Sequence, residues 1–283
     1  GLWQEFRQKL YQHYKTENLA TGWVSNTLFE PHVGDSIFKA MCAKEKDHLS
    51  VMYGLQLQSV LKEHNKITGA VFLNADKKSV TIKSKICIDA TELGDVIAMS
   101  ATAYDLGMED AAYSKEAIAP GKNSIIQDLT WAAILKDYGK GSDKTIPRPD
   151  GYDSTRFFKS CTSVFNSDSI AAPWTVQKML NYGKIKNNKY MLNWPASGND
   201  YYLNVIEERP DDRIKKYAAA KNHTLQFIYY IQKELGYKNL GLADDEFPTT
   251  DKLAMIPYNR ESRRVKGLAR LNNNYLVDPF GKN

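Results

Sequence analysis

The chain has 283 residues, 42% hydrophobic and 25% charged, with a mean hydropathy of -0.50, the profile of a globular protein able to bury a substantial core. Its net charge of +5 is mild and is concentrated only at Arg260, Arg263, Arg264 and Lys266, which argues against nucleic acid as a partner. No run of about 18 apolar residues is present, so no membrane span is expected. The opening GLWQEFRQKLYQHY mixes charges with apolar positions and lacks a signal-peptide core, which leaves cytoplasm and periplasm equally open.

Leu2, Trp3, Phe6, Leu10 and Tyr14 recur at helical spacing and predict an amphipathic first helix. Glu30 and Pro31 open a second, with Val33, Ile37 and Met41 on its inner face and His32 serving its start. From Leu49 the period changes to that of strands. LSVMYGLQLQSVLKE, ITGAVFLN, SVTIKS and KICIDA, joined at EHNK and ADKK, predict a β-meander whose last strand is apolar on both faces, as in a covered sheet. Cys87 lies in that strand and reads as a core thiol.

VIAMSATAYDLG then reads as a short helix with small residues at Ala98, Ser100 and Ala101. Residues 110–210 are irregular and rich in Ser, Asn, Lys and Tyr. Their aromatic residues, Trp131, Phe157, Phe158, Phe165, Trp174, Tyr190 and Trp194, need packing partners, so this stretch reads as a loop-rich layer with isolated strands. PDDRIKKYAAAKNHTLQFIYYIQKELGY predicts the longest helix, capped by Asp211 or Asp212, ended by Gly236, and apolar along Ile214, Tyr217, Ala218, Leu225, Ile228 and Leu235. A polar loop, a short apolar strand and the arginine cluster follow.

The end of the last meander strand invites a chemical reading. Ala90, Thr91 and Gly94 are small, and small residues at a strand end leave backbone amides open to a ligand. Asp95 would repel a phosphate, and is better placed to cap the next helix or to accept a ribose hydroxyl. An ordinary strand-to-helix connection would use the same residues.

Three scattered cysteines form no disulfide framework, and the histidines at 13, 32, 48, 64 and 223 lack metal-ligand spacing, so no metal is expected. No Gly-x-Ser-x-Gly elbow is present to anchor a serine hydrolase. Trp194, Tyr201 and Tyr202 suit either a sugar ring or a core. The arginine cluster suits an ion network or an anion clamp.

TIKSKICIDATELGD resembles the second signature of flavoproteins with the glutathione-reductase-type fold, in an Ala-Thr-Glu-x-Gly-Asp form. WVSNTLFEPHV, NWPASGNDYYLN, HTLQFIYYIQKELG, LADDEFPT and IPYNRESRRVKG are similar, in the same order, to motifs of a bacterial family of FAD-dependent oxidoreductases, some of which carry the name xanthan lyase. The resemblance implies an α+β, α/β-derived chain: a partial FAD/NAD(P)-binding fold with a β-meander over residues 1–105, and a loop-rich substrate domain with a long helix over 106–283. It implies FAD as cofactor, with Ala90, Thr91, Gly94 and Asp95 near the dinucleotide, and His223, Arg260 and Arg263 facing a small-molecule or saccharide substrate during flavin-mediated hydride transfer.

The family's opening Gly-x-Gly-x-x-Gly turn has no counterpart here, so the chain is expected to be an internal fragment. It would then need the remainder of the FAD-binding domain as partner and be inactive alone. A non-catalytic carbohydrate-binding module is the alternative.

Overall fold

A computed structural model describes residues 1–19, 27–108, 123–161, 174–269 and 274–277. In chain order these form α1 (Leu2–Tyr14), α2 (Pro31–Lys44), β1 (Gln56–Glu63), β2 (Lys66–Leu73), β3 (Ser79–Lys83), α3 (Asp95–Met99), β4 (Tyr104–Asp105), β5 (Leu129–Thr130) and β6 (Ala133–Asp137). A 3-10 turn (Ser154–Phe157) precedes α4 (Val176–Tyr182), β7 (Lys184–Ile185), β8 (Lys189–Leu192), β9 (Asp200–Tyr201), α5 (Pro210–Lys233), β10 (Leu240–Leu242), β11 (Arg264–Val265) and α6 (Asn274–Val277). All the strand ladders are antiparallel, so the fold class is α+β.

The chain divides into two compact units, and the division is not the expected one near residue 105. Residues 1–50, 128–203 and 209–258 form the first; residues 51–127, 204–208 and 259–283 form the second. Both opening helices thus group with the later sheet: Glu30 and His32 at the start of α2 pair with Lys189 of β8 and with Glu246 after β10, and α1 packs on α2.

In the first unit, Phe6 and Leu10 of α1 bury against Val33 of α2 and Leu19, with Ile37 and Met41 half-buried beside them. Leu2 and Trp3 stay largely exposed. The loop-rich stretch contains a real sheet, ordered β10-β6-β8-β7, in place of isolated strands. The long helix α5 covers the main core, burying Ala220, Phe227, Ile228 and Ile231. Phe227, Ile228 and Ile231 each contribute up to about 1.5–3 kcal/mol by leaving water. Phe157 and Trp194 share that core, Trp174 packs on its edge, and Phe165 lies outside the described residues.

The buried face of α5 differs from the apolar stripe of its sequence. Ile214 is 68% exposed, whereas Thr224, Gln226 and Gln232 are buried. These polar residues feed loop carbonyls: Thr224 donates to the Trp131 carbonyl at 2.8 Å, and Gln232 donates to Lys144 and Leu240 while accepting from the Ile146 amide. A hydrogen-bonded polar group is buried without the penalty that an apolar criterion assumes. Pro210 opens the helix, with Arg209 rather than an aspartate at its N-cap. Gly236, at φ 82°, takes the left-handed turn that ends it.

The second unit is built on the meander β1-β2-β3. His64 and Lys77 adopt positive φ at its two turns, and Asn74 Oδ1 accepts from the Lys78 amide at 2.9 Å. The anticipated fourth strand does not form. Ile86 and Ile88 are 80% and 84% exposed, and Cys87 is exposed as well, so it is no core thiol. No neighbouring strand covers residues 84–88 among the described residues, and an unpaired segment has no ladder to join. The LAMIP segment is likewise not a strand; Met255 and Ile256 are exposed there.

Candidate functional site

The turn from Asp89 to Asp95, in the second unit, is held by its own side chains. Asp89 accepts from the Thr91 amide at 2.9 Å, from Thr91 Oγ1 at 2.7 Å and, through its other oxygen, from the Ile97 amide at 3.0 Å. Thr91 Oγ1 in turn accepts from the Asp95 amide at 2.8 Å. The amides of Thr91, Asp95 and Ile97 are therefore already satisfied within the chain. With five residues, α3 is also too short to present a dipole to an anion. Ala90, Thr91 and Glu92 are exposed, and among the described residues the amides of Ala90 and Glu92 donate to no protein acceptor.

Gly94 is required by its backbone. It sits at φ 68°, and an added Cβ would lie 3.2 Å from both Arg263 Cβ and Ile97 Cδ1. Asp95 does not cap α3; its carboxylate pairs with Arg263 Nη1 at 3.1 Å.

Arg263 is the clasp of this turn. Its Nε donates to Glu207, Nη1 to the Leu93 carbonyl at 2.7 Å and to Asp95, and Nη2 to the Ile206 carbonyl at 2.6 Å and to Glu207. Each of the three guanidinium nitrogens is thus engaged. Its side chain is 5% exposed, and the guanidinium lies 5.4 Å from the centre of the Tyr104 ring. Buried and engaged at every nitrogen, Arg263 holds the turn together instead of facing a substrate as the sequence reading expects. Arg264 pairs with Glu261 at 3.4 Å and donates to the Gly107 carbonyl. Arg260 is half-buried.

His223 lies in the first unit, on α5. Its Nε2 is 2.9 Å from the Gly198 carbonyl, and the ring packs against Phe157 and Tyr201, each 5.3 Å away between centroids. Burial lowers its pKa, the backbone of Gly198 and Asp200 opposes this, and the charge of Arg156 adds to the lowering. The lowered pKa favours the neutral ring, whose Nε2–H donates to the Gly198 carbonyl. Trp194 is 3% exposed and belongs to the core, whereas Tyr202 stays 53% exposed.

The sequence profile of the family described as FAD dependent oxidoreductase matches residues 1–280. The chain belongs to that family. Searches of curated proteins and of solved structures found no match.

FAD is the cofactor of the FAD-dependent oxidoreductase family. The exposed, small Ala90 and Thr91 allow close approach, and two open amides offer donors to hydroxyl or carbonyl groups. A diphosphate fits poorly, because Asp89 and Asp95 put two carboxylates beside the amides that would receive it.

Sequence reasoning missed a second constellation in this family member, in the first unit. Lys189 is 2% exposed, and its Nζ lies 2.8 Å from Glu30, 2.9 Å from Asp245 and 2.5 Å from Glu246. Glu30 also accepts from Asn187 and Tyr14, and Glu246 meets the backbone N–H and Nδ1 of His32. Burial works to lower the Lys189 pKa, and the three carboxylates overcome it and raise it. His32 thus joins an ion network rather than merely serving a helix start. Ligand atoms of Glu30, His32 and Glu246 lie within 4.8 Å of one another, and the Lys189 ammonium is the cation that pairs with both carboxylates. The sole hint in the sequence is a lysine in an otherwise core-facing strand, KYML.

Proposed function

We propose that the protein is part of a flavoprotein that transfers hydride from an organic substrate to FAD, and that its second unit contributes one wall of the dinucleotide site. The exposed Ala90-Thr91-Glu92 edge, held rigid by Asp89 and Arg263, supports this reading most directly. In it, Ala90 and Thr91 lie against an uncharged portion of the dinucleotide. Gly94 and Asp95 shape the turn, and Arg263 positions it. Bound FAD supplies the redox chemistry.

The diphosphate requires a different turn. The chain contains no Gly-x-Gly-x-x-Gly, and we place that element in polypeptide outside it. The exposed apolar segment 84–88 supports this: in the proposal it becomes a strand once the rest of the flavin-binding sheet pairs with it. In the first unit, His223 accepts a substrate proton.

The experiment is to produce the protein with the polypeptide encoded upstream of Gly1 and to titrate it with FAD. Stoichiometric uptake with the visible absorption of oxidised flavin is expected. A product that stays colourless and leaves flavin fluorescence unquenched would overturn the proposal. His223→Gln should then retain flavin and lose at least about tenfold in the rate of flavin reduction by substrate.

A further inference from the structure

One concavity in the first unit has no role in that reading. It encloses about 330 Å³ and is lined by Trp174, Thr175, Gln177, Lys178, Asn181, Tyr182 and Trp194. Its volume falls at the lower end of small-molecule sites, which run from roughly 300 to 1,000 Å³. The helix α4 builds one wall, with Gln177 and Asn181 one turn apart and Lys178 and Tyr182 beside them.

The floor is formed by half-buried Trp174 and Tyr182, backed by the buried Trp194. Trp174 and Tyr182 each meet Trp194 edge to face, at 5.7 and 5.0 Å between centroids, and Trp194 Nε1 is fixed by the Ser160 carbonyl at 2.8 Å. Such a floor suits a ring with C–H groups on its face. The rim is polar and exposed. Gln177 Nε2 donates to Asn181 Oδ1 at 2.9 Å, which leaves the Gln177 oxygen as acceptor and the Asn181 amino group as donor, a pair matched to neighbouring hydroxyls. Lys178 places its ammonium 4.1 Å from the centre of the Trp174 ring, so the site carries a fixed positive charge. That charge repels a cationic ligand and favours a carboxylate.

We propose that this pocket binds a pyranose ring bearing a carboxylate, that is, a sugar acid or a uronate residue of a polysaccharide. The pocket wall and the candidate proton acceptor share one loop, since Trp194 packs on Gly198, whose carbonyl holds His223. Resting on the oxidoreductase reading, the inference extends it by giving the substrate a class.

The test needs no flavin, so its failure is distinguishable from failure of the redox proposal. The full chain is titrated with methyl glucuronide, methyl glucoside and benzoate while tryptophan fluorescence and ligand-detected NMR are followed. Saturable binding of the glucuronide is expected, with a Kd on the order of 1 mM and at least about fivefold weaker binding of the glucoside. Lys178→Met should erase that difference, and Asn181→Ala should weaken both sugars; both positions are exposed, so the fold is retained. Three results would overturn the proposal: no saturable response to the glucuronide, benzoate binding as tightly as the glucuronide, or both variants behaving as the parent.

Discussion

Gly94 and Arg263 depend on each other at single-atom distances. Gly94→Ala forces a side chain into left-handed backbone and against Arg263, and should lower stability by about 1–2 kcal/mol in denaturant unfolding. Arg263→Lys keeps the charge but cannot reproduce five donors in a planar fork. It should cost about 3 kcal/mol or more, which makes it the harsher change although it looks conservative. At Lys189 the logic is starker. Lys189→Met leaves Glu30 and Glu246 buried with one negative charge each and their cation gone, a loss of about 3–5 kcal/mol, and adding Glu30→Gln should recover part of it. These couplings were not legible in the sequence, because partners 30, 189 and 246 are brought together only by the fold.

Among the elements, α5 and the meander show what patterning conveys. The alternation of β1 to β3 and the length of α5 were readable because backbone period and capping chemistry act locally. The buried face of α5 was not, since Thr224 and Gln232 are satisfied by carbonyls from distant loops. KICIDA misled for the opposite reason: its apolar alternation anticipates a covered strand, and residues 84–88 are open. A thiol assay distinguishes the states. Cys87 should react rapidly in the isolated chain, while Cys161, buried and with its pKa raised by that burial, should react only on unfolding. When the upstream polypeptide is present, Cys87 should become protected; persistent reactivity would count against the proposed sheet.

For the whole molecule, family membership was legible because its motifs are spread along the chain, whereas the division into units was not. The units interleave, with residues 204–208 and 259–283 joining the meander. Stability should respond to pH in a defined direction. The folded His223 has a lowered pKa, so the unfolded chain takes up its proton first; the contribution is complete above about pH 6.5 and is lost as pH falls below it. Asp245, whose pKa is lowered chiefly by Lys189 against the opposing effect of burial, adds a second loss nearer pH 4. Unfolding free energy measured from about pH 7 to pH 5 should therefore decline in the parent and decline less in His223→Gln.

The ammonium at position 189 also governs how the polypeptide can be cut. Its counter-charges come from just before α2 (Glu30) and from just past β10 (Asp245 and Glu246), so no contiguous excerpt beginning after the second helix carries a complete set. Trimming the first fifty residues to isolate the long-helix layer would remove Glu30 from that network and uncover the Lys189 ammonium, so an expression plan for the first unit must keep the opening helices attached.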